Sequence, residues 1–100
     1  MKLASSENEE DTDTAKKVGD ILRSSSARKI VDQVTDKQLS FSEMRKNLKM
    51  TSGRLNYHLL KLRSAGILKR TRGERYALTR LGMKVSNIVR RTLKELEQSS

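Results

Sequence analysis

The sequence contains no cysteine, no proline, one histidine and three aromatic side chains among 100 residues. Without cysteine there is no disulfide framework, no thiolate metal site and no cysteine nucleophile, and a reducing compartment is permitted. A lone histidine leaves metal binding and acid/base chemistry without their usual residue. Apolar side chains make up 34% of the chain and run at most two or three together, far short of the about 20 needed to cross a bilayer. The first thirteen residues lack the apolar core of a secretory signal. These absences lead to the expectation of a soluble cytoplasmic protein without a membrane, metal or cofactor partner. No glycine-rich phosphate loop, nucleophile–base pair or carboxylate cluster stands out, and Glu95 and Glu97 read as solvated charges, so an enzyme is not expected.

Cations, in contrast, are plentiful. Lys and Arg number 22 against 12 acids, a formal charge of +10. Residues 1 to 14 carry −4, with five carboxylates between Glu7 and Asp13, so the rest of the chain carries +14. Ten basic side chains and one acid, Glu74, fall between Arg45 and Arg75. A concentration of one sign on a small domain is the footprint expected for a polyphosphate or an anionic surface, whereas a merely solvated surface more often mixes signs. At this length there is room for one domain with a thin core.

Residues 1 to 13, polar and acidic with nothing to bury, are expected to be a disordered tail, followed by one domain over 14 to 98. Thr14 can cap a short helix to about residue 23, with Val18, Ile21 and Leu22 on one face. Ser24, Ser25 and Ser26 break it, and a second helix over 27 to 34 presents Ile30, Val31 and Val34. Leu39, Ser40 and Phe41 alternate as a brief strand. Ser42 can cap a helix to Leu48 with Met44 inward. Thr51 or Ser52 can cap the next, where Leu55, Leu59 and Leu62 form one buried stripe ending at Ala65-Gly66. Segments 67 to 71 and 75 to 78 flank Arg72-Gly73-Glu74 as a hairpin. Thr79 then caps a helix to about residue 98, roughly 30 Å at 1.5 Å per residue.

The predicted order α-α-β-α-α-β-β-α, mainly helical with a small β wing, is that of a winged helix-turn-helix. Residues 40 to 68, SFSEMRKNLKMTSGRLNYHLLKLRSAGIL, resemble the core of ArsR-like winged-helix transcriptional regulators, archaeal members included, and a weaker match extends over 27 to 96. The segment Leu55-Asn56-Tyr57-His58-Leu59-Leu60-Lys61-Leu62 with Ala65-Gly66-Ile67-Leu68 resembles that family's recognition helix and its entry into the wing. The resemblance implies a double-stranded DNA reader, commonly a homodimer paired through terminal helices. The cysteine-containing metal motif of the metal-sensing members is missing from Ser42 to Leu48, so metal-triggered release is not implied.

Spacing supports a DNA reading independently. With Leu55, Leu59 and Leu62 inward, recognition helix 52–65 turns Ser52, Asn56, Tyr57 and Lys61 outward, with Thr51 and Arg54 near its N-terminal end. Asn can bond adenine and Arg guanine in a bidentate manner, Ser or Thr can reach phosphate, and the helix N-terminus favours an anion. Lys69, Arg70, Arg72 and Arg75, on wing 67–78, would follow the backbone or minor groove and add affinity more than sequence choice. Their duller reading is a charged edge that discourages strand pairing. His58 reads as a half-buried packing residue, and Met44, Met50 and Met83 as core filler. Val85, Ile88, Val89, Leu93 and Leu96 on the long helix are expected to form a dimer interface, because a body this small uses only part of that length.

The expected function is therefore sequence-specific DNA binding as a homodimeric, nucleoid-associated transcriptional regulator. The rivals are an architectural, sequence-tolerant DNA-binding protein and a protein-binding winged helix within a transcription complex. Since the acidic tail and the basic body have opposite signs, deletion of residues 1 to 13 is expected to raise duplex affinity in a low-salt titration. An unchanged affinity would show that the tail does not compete with DNA.

Overall fold

The computed structural model describes residues 15–99; the expected tail and the Thr14 cap lie outside that range. A helix over 15–22, α1, seats Ile21 in the core with Val18 and Leu22 packed partly against it. Of the three serines only Ser24 interrupts the chain. Its hydroxyl accepts the Ala27 N–H at 3.2 Å and so caps α2 (Ser25–Gln33), leaving Ser25 and Ser26 inside the helix. The expected start at residue 27 is thus two residues late, because a serine oxygen that satisfies an otherwise orphaned helix N–H starts a helix as readily as it ends one. The Arg28 guanidinium donates to the Leu22 carbonyl and ties the end of α1 to α2.

The strand β1 (Leu39–Ser40) stops short of Phe41, which opens α3 (Phe41–Leu48). The cap is Ser40, not the expected Ser42. Ser40 Oγ accepts from the Glu43 N–H at 3.1 Å while the Ser40 N–H donates to Glu43 Oε1 at 2.9 Å. This reciprocal capping box satisfies two donors at once, which Ser42 has no partner to match. Lys49 ends α3 in the left-handed conformation, φ 54°, and Thr51 Oγ1 accepts the Arg54 N–H to start α4 (Ser52–Ser64). At the far end of α4, Gly66 takes φ 77°, where a side chain would be strained.

Beyond it, β2 (Leu68–Thr71) and β3 (Arg75–Leu78) form the expected hairpin, with Lys69 opposite Ala77 and Thr71 opposite Arg75. The sequence did not indicate the third partner: β1 pairs antiparallel with β3, Leu39 opposite Tyr76, giving the order β1-β3-β2. The core runs between this small sheet and the helices. Ile30, Leu39, Met44, Leu55, Leu59, Leu62, Ile67, Val85 and Val89 are all almost wholly enclosed.

The last helix, α5 (Arg80–Ser99), leaves the sheet through a tight corner. Thr79 Oγ1 accepts the Gly82 N–H at 3.0 Å, and its hydroxyl lies against the carbonyls of Gly66 and Ile67. Further along, Arg90 donates to Asp32 at 3.1 Å and Asp36 at 2.7 Å, pinning α5 to α2 and to the turn that follows it. The long helix is therefore only partly free. Val85 and Val89, expected at a dimer interface, point into the chain's own core at 2% and 0% exposure. The side chain faces of α5 follow from where α2 and the sheet lie, and one sequence cannot say which half of a broad apolar stripe meets them. Ile88 remains exposed, as does Met83, which was expected in the core. The side chains of Leu93 and Leu96 lie outside the described residues.

A Cβ at Gly82 would stand 2.2 Å from the Ile67 carbonyl oxygen and 3.1 Å from Leu78, whereas one at Gly19 meets nothing within 4 Å. Gly82→Ala is expected to cost about 1–3 kcal/mol in a denaturant melt, since backbone must shift to admit the methyl. Gly19→Ala is expected to stabilise by about 0.5–1 kcal/mol through helix propensity. Equal stability of the two variants would show that the corner at Gly82 yields freely.

Candidate nucleic-acid interface

Three buried leucines set the orientation of α4. Leu55, Leu59 and Leu62 recur at i, i+4 and i+7, the period of one helix face, and all three are enclosed by the core. The remaining arc of α4 faces solvent: Ser52, Arg54, Asn56, Tyr57 and Lys61 are exposed, as is the capping Thr51. Every α4 residue that the sequence assigns to DNA contact is therefore solvent-exposed.

Local contacts organise that surface. The Arg54 guanidinium donates to the hydroxyl of the buried Ser26 at 2.7 Å, which orients a long side chain at the start of the helix. Lys61 Nζ lies 4.8 Å from the centre of the Tyr57 ring, within cation–π range. His58 meets Tyr57 edge to face, with ring centres 5.3 Å apart. It is half-buried, as expected of a packing residue. Burial, and then the charges of Arg54 and Lys61, hold its imidazole below the ordinary 6.5, which favours its neutral form.

The wing divides into free and engaged arginines. Arg72 lies at the hairpin tip beside Gly73 and Glu74, which both adopt positive φ, 78° and 58°. Lys69 is exposed on β2, and Arg70 stacks 5.7 Å from the Tyr76 ring while standing 3.9 Å from Glu74. Arg75 is different. Its guanidinium donates to Glu43 Oε1 at 3.1 Å and to the Gln38 carbonyl at 3.3 Å, clasping β3 to the start of α3. The same Glu43 carboxylate closes the capping box, and the Ser40 hydrogen bonds, followed by the nearby charges of Arg75 and Lys37, hold it below its ordinary 4.5. A residue read from the sequence as a wing contact thus also holds the fold together.

Sequence reasoning counted Arg45, Lys46 and Lys49 in the basic segment without assigning them to a site. They line a groove with Ser42 and Thr51 at the turn between α3 and α4. That turn sets three cations beside the N-terminus of α4, where the helix dipole also favours an anion. The density of charge around the turn was the available signal. Among the described residues no group of three or more His, Asp or Glu could hold a metal ion, and no helix is long and apolar enough to cross a membrane.

The profile of a protein family described as a domain of unknown function (DUF7347) matches residues 12–89. The chain belongs to that family. No curated protein sequence matches it. Among solved structures it is similar to HlyU from Vibrio cholerae N16961, with 21% identity over 86% of this chain and 94% of that one and a TM-score of 0.69. It is also similar to Mb0332 from Mycobacterium bovis, described as a homodimeric winged helix-turn-helix DNA-binding domain and a possible ArsR-family transcriptional regulator. That match has 18% identity, a TM-score of 0.73 and covers 89% and 86% of the two chains. The transcriptional repressor BigR from Xylella fastidiosa gives 17% identity, a TM-score of 0.70 and 96% coverage of both chains. At such identities the likeness establishes the fold, a winged helix-turn-helix with α3 and α4 as the helix pair and β2–β3 as the wing. None of the three supports the narrower archaeal affiliation.

The clasp at Arg75 leads to a pH-dependent expectation. Because the folded-state value of Glu43 is depressed, its stabilising effect is present above the ordinary carboxylate value of 4.5 and is lost as pH falls through the folded value. Arg75→Ala is expected to melt at a lower temperature than the parent at pH 7, with the gap narrowing as pH drops well below 4.5. Arg72→Ala, at the exposed tip, should leave the melt unchanged. A deficit of constant size across that range would mean that Glu43 is not the partner that matters.

Proposed function

We propose that this protein is a sequence-specific, homodimeric DNA-binding transcriptional regulator that acts in the cytoplasm on the nucleoid. In this reading α4 enters the major groove with Ser52, Arg54, Asn56, Tyr57 and Lys61 toward bases and phosphates. Thr51 and the α3–α4 turn meet the backbone, and Lys69, Arg70 and Arg72 track it along the wing. The observation that carries the proposal is the outward arc of α4: it combines Asn and Arg, the side chains suited to base edges, at solvent-exposed positions on a helix whose other face is locked into the core. The descriptions of Mb0332 as a homodimeric DNA-binding domain and of BigR as a repressor favour the same reading.

Dimerisation would use the apolar surface that the fold leaves over. On α5 that surface starts from Ile88, 49% exposed, and Met83, and extends in the proposal to Leu93 and Leu96. Val85 and Val89 support it from within. Two-fold pairing would place two α4 helices about one duplex turn apart, roughly 34 Å, and require a palindromic site. The acidic residues 1 to 13 lie outside the described residues.

A salt titration tests the central claim. Duplex affinity is expected to fall steeply and linearly in log salt, and a selected site should be held about 10³-fold or more tighter than random duplex. Asn56→Ala is expected to cut that preference by about 1–3 kcal/mol, while Arg72→Ala weakens all sequences alike and flattens the salt slope. No binding at low salt would end the proposal; binding without preference would make the protein a DNA coat. Ile88→Asp is expected to halve the sedimenting mass. A mass that stays dimeric would place the interface elsewhere.

A further inference from the structure

Between α1 and α4 lies an open groove of about 600 Å³, within the range of small-molecule sites, roughly 300–1,000 Å³. Its floor is apolar: Ile21, Ala27 and Leu62, all buried among core residues. One wall is Leu60, 61% exposed although it sits on a helix whose other outward side chains are mostly polar or cationic. A single exposed leucine is ordinary, but this one prolongs the apolar floor toward the surface. Lys61 on α4 and Lys17 on α1 stand at the rim, and the rim carboxylate Asp20 pairs with Arg23 at 3.7 Å.

We propose that this groove binds a small amphiphilic organic anion, an apolar body ending in one carboxylate, and that its occupancy opposes DNA binding. The apolar body would lie on Ile21, Ala27 and Leu62 against Leu60, with the carboxylate toward Lys61. An anion is favoured over a cation because positive charge dominates this side of α4: Arg54 and Lys61 both act on His58, which lines the groove, and add to burial in disfavouring its protonated form. A second cation placed there would meet the same field. The coupling to DNA rests on the function proposed above. Tyr57 and Lys61 line the groove and also belong to the outward arc of α4, so a carboxylate that holds Lys61 withdraws it from the duplex, and duplex phosphates withdraw it from the carboxylate. Such competition is reciprocal by linkage.

Because the chain has one histidine, its imidazole proton resonances are unambiguous reporters. The full chain is titrated with sodium decanoate below its micellar concentration, and in parallel with decyltrimethylammonium. Decanoate is expected to shift the His58 signals saturably and to raise the midpoint of their pH titration, since a nearby carboxylate offsets Arg54 and Lys61. The cation is expected to produce no saturable shift. Leu60→Asp, a change at an exposed position that leaves the core intact, should weaken decanoate at least about tenfold; Lys61→Gln should lower the midpoint gain while leaving the apolar contact. Absence of saturable binding, or equal binding of the cation, overturns the site. These measurements contain no DNA, so they stand or fall apart from the regulator reading. With duplex present, decanoate should weaken binding to the parent and leave Leu60→Asp unaffected. A decanoate effect equal in both proteins overturns the coupling.

Discussion

Burial of one leucine stripe governs the arrangement of this molecule. Leu55, Leu59 and Leu62 are locked between α2 and the sheet, and their loss would create cavities costing about 2–5 kcal/mol each in a fold whose total stability is expected to be about 5–15 kcal/mol. A helix held this firmly on one face cannot rotate. Its opposite arc, bearing Arg54, Asn56, Tyr57 and Lys61, is thereby presented at a fixed angle with no binding partner required to orient it. Ser26 refines the result by gripping the Arg54 guanidinium from α2, so the core helix and the candidate reading helix are joined by a polar contact as well as an apolar one.

The wing is fixed from the other side. β3 is central to the sheet, held by β1 as well as by β2, and Arg75 fastens it to the capping carboxylate of α3. A two-stranded hairpin alone would be marginally stable in water. The extra strand and the Glu43 clasp hold β3 at Tyr76 and Arg75, the end next to the turn, while Arg72 within the turn stays exposed. Gly66, Thr79 and Gly82 then close the corner from which α5 departs, with Gly82 required by the close approach of the Ile67 carbonyl. Stability and presentation of charge are thus divided among different arginines of the same short segment.

The order of elements, the leucine face, the left-handed glycine after α4 and the hairpin were legible because each has a local cause: a period, a cap, or a backbone conformation suited to glycine. The errors came where two local choices were equally good. Ser40 and Ser42 can both cap a helix, and Glu43 three residues after Ser40 decides between them by completing the reciprocal pair. Ser24 offered both an end and a beginning. For Val85, Val89 and Met83 the helical period was read correctly and the direction was not, since a broad apolar stripe carries no mark of which neighbour it will meet.

The sequence by itself determined that this chain would be a small, strongly basic winged helix with Asn56, Arg54 and Lys61 opposite a buried leucine row, because periodicity and charge are properties of residue order. Only the tertiary structure decided that Arg75 would be held by Glu43, that Arg54 would rest on Ser26, that the cations of the α3–α4 turn would gather in one groove, and that Leu60 would border a space beneath α1. The Arg75–Glu43 and Arg54–Ser26 contacts alone join residues 32 and 28 positions apart. Their geometry follows from how whole helices pack, which no local stretch of the chain encodes.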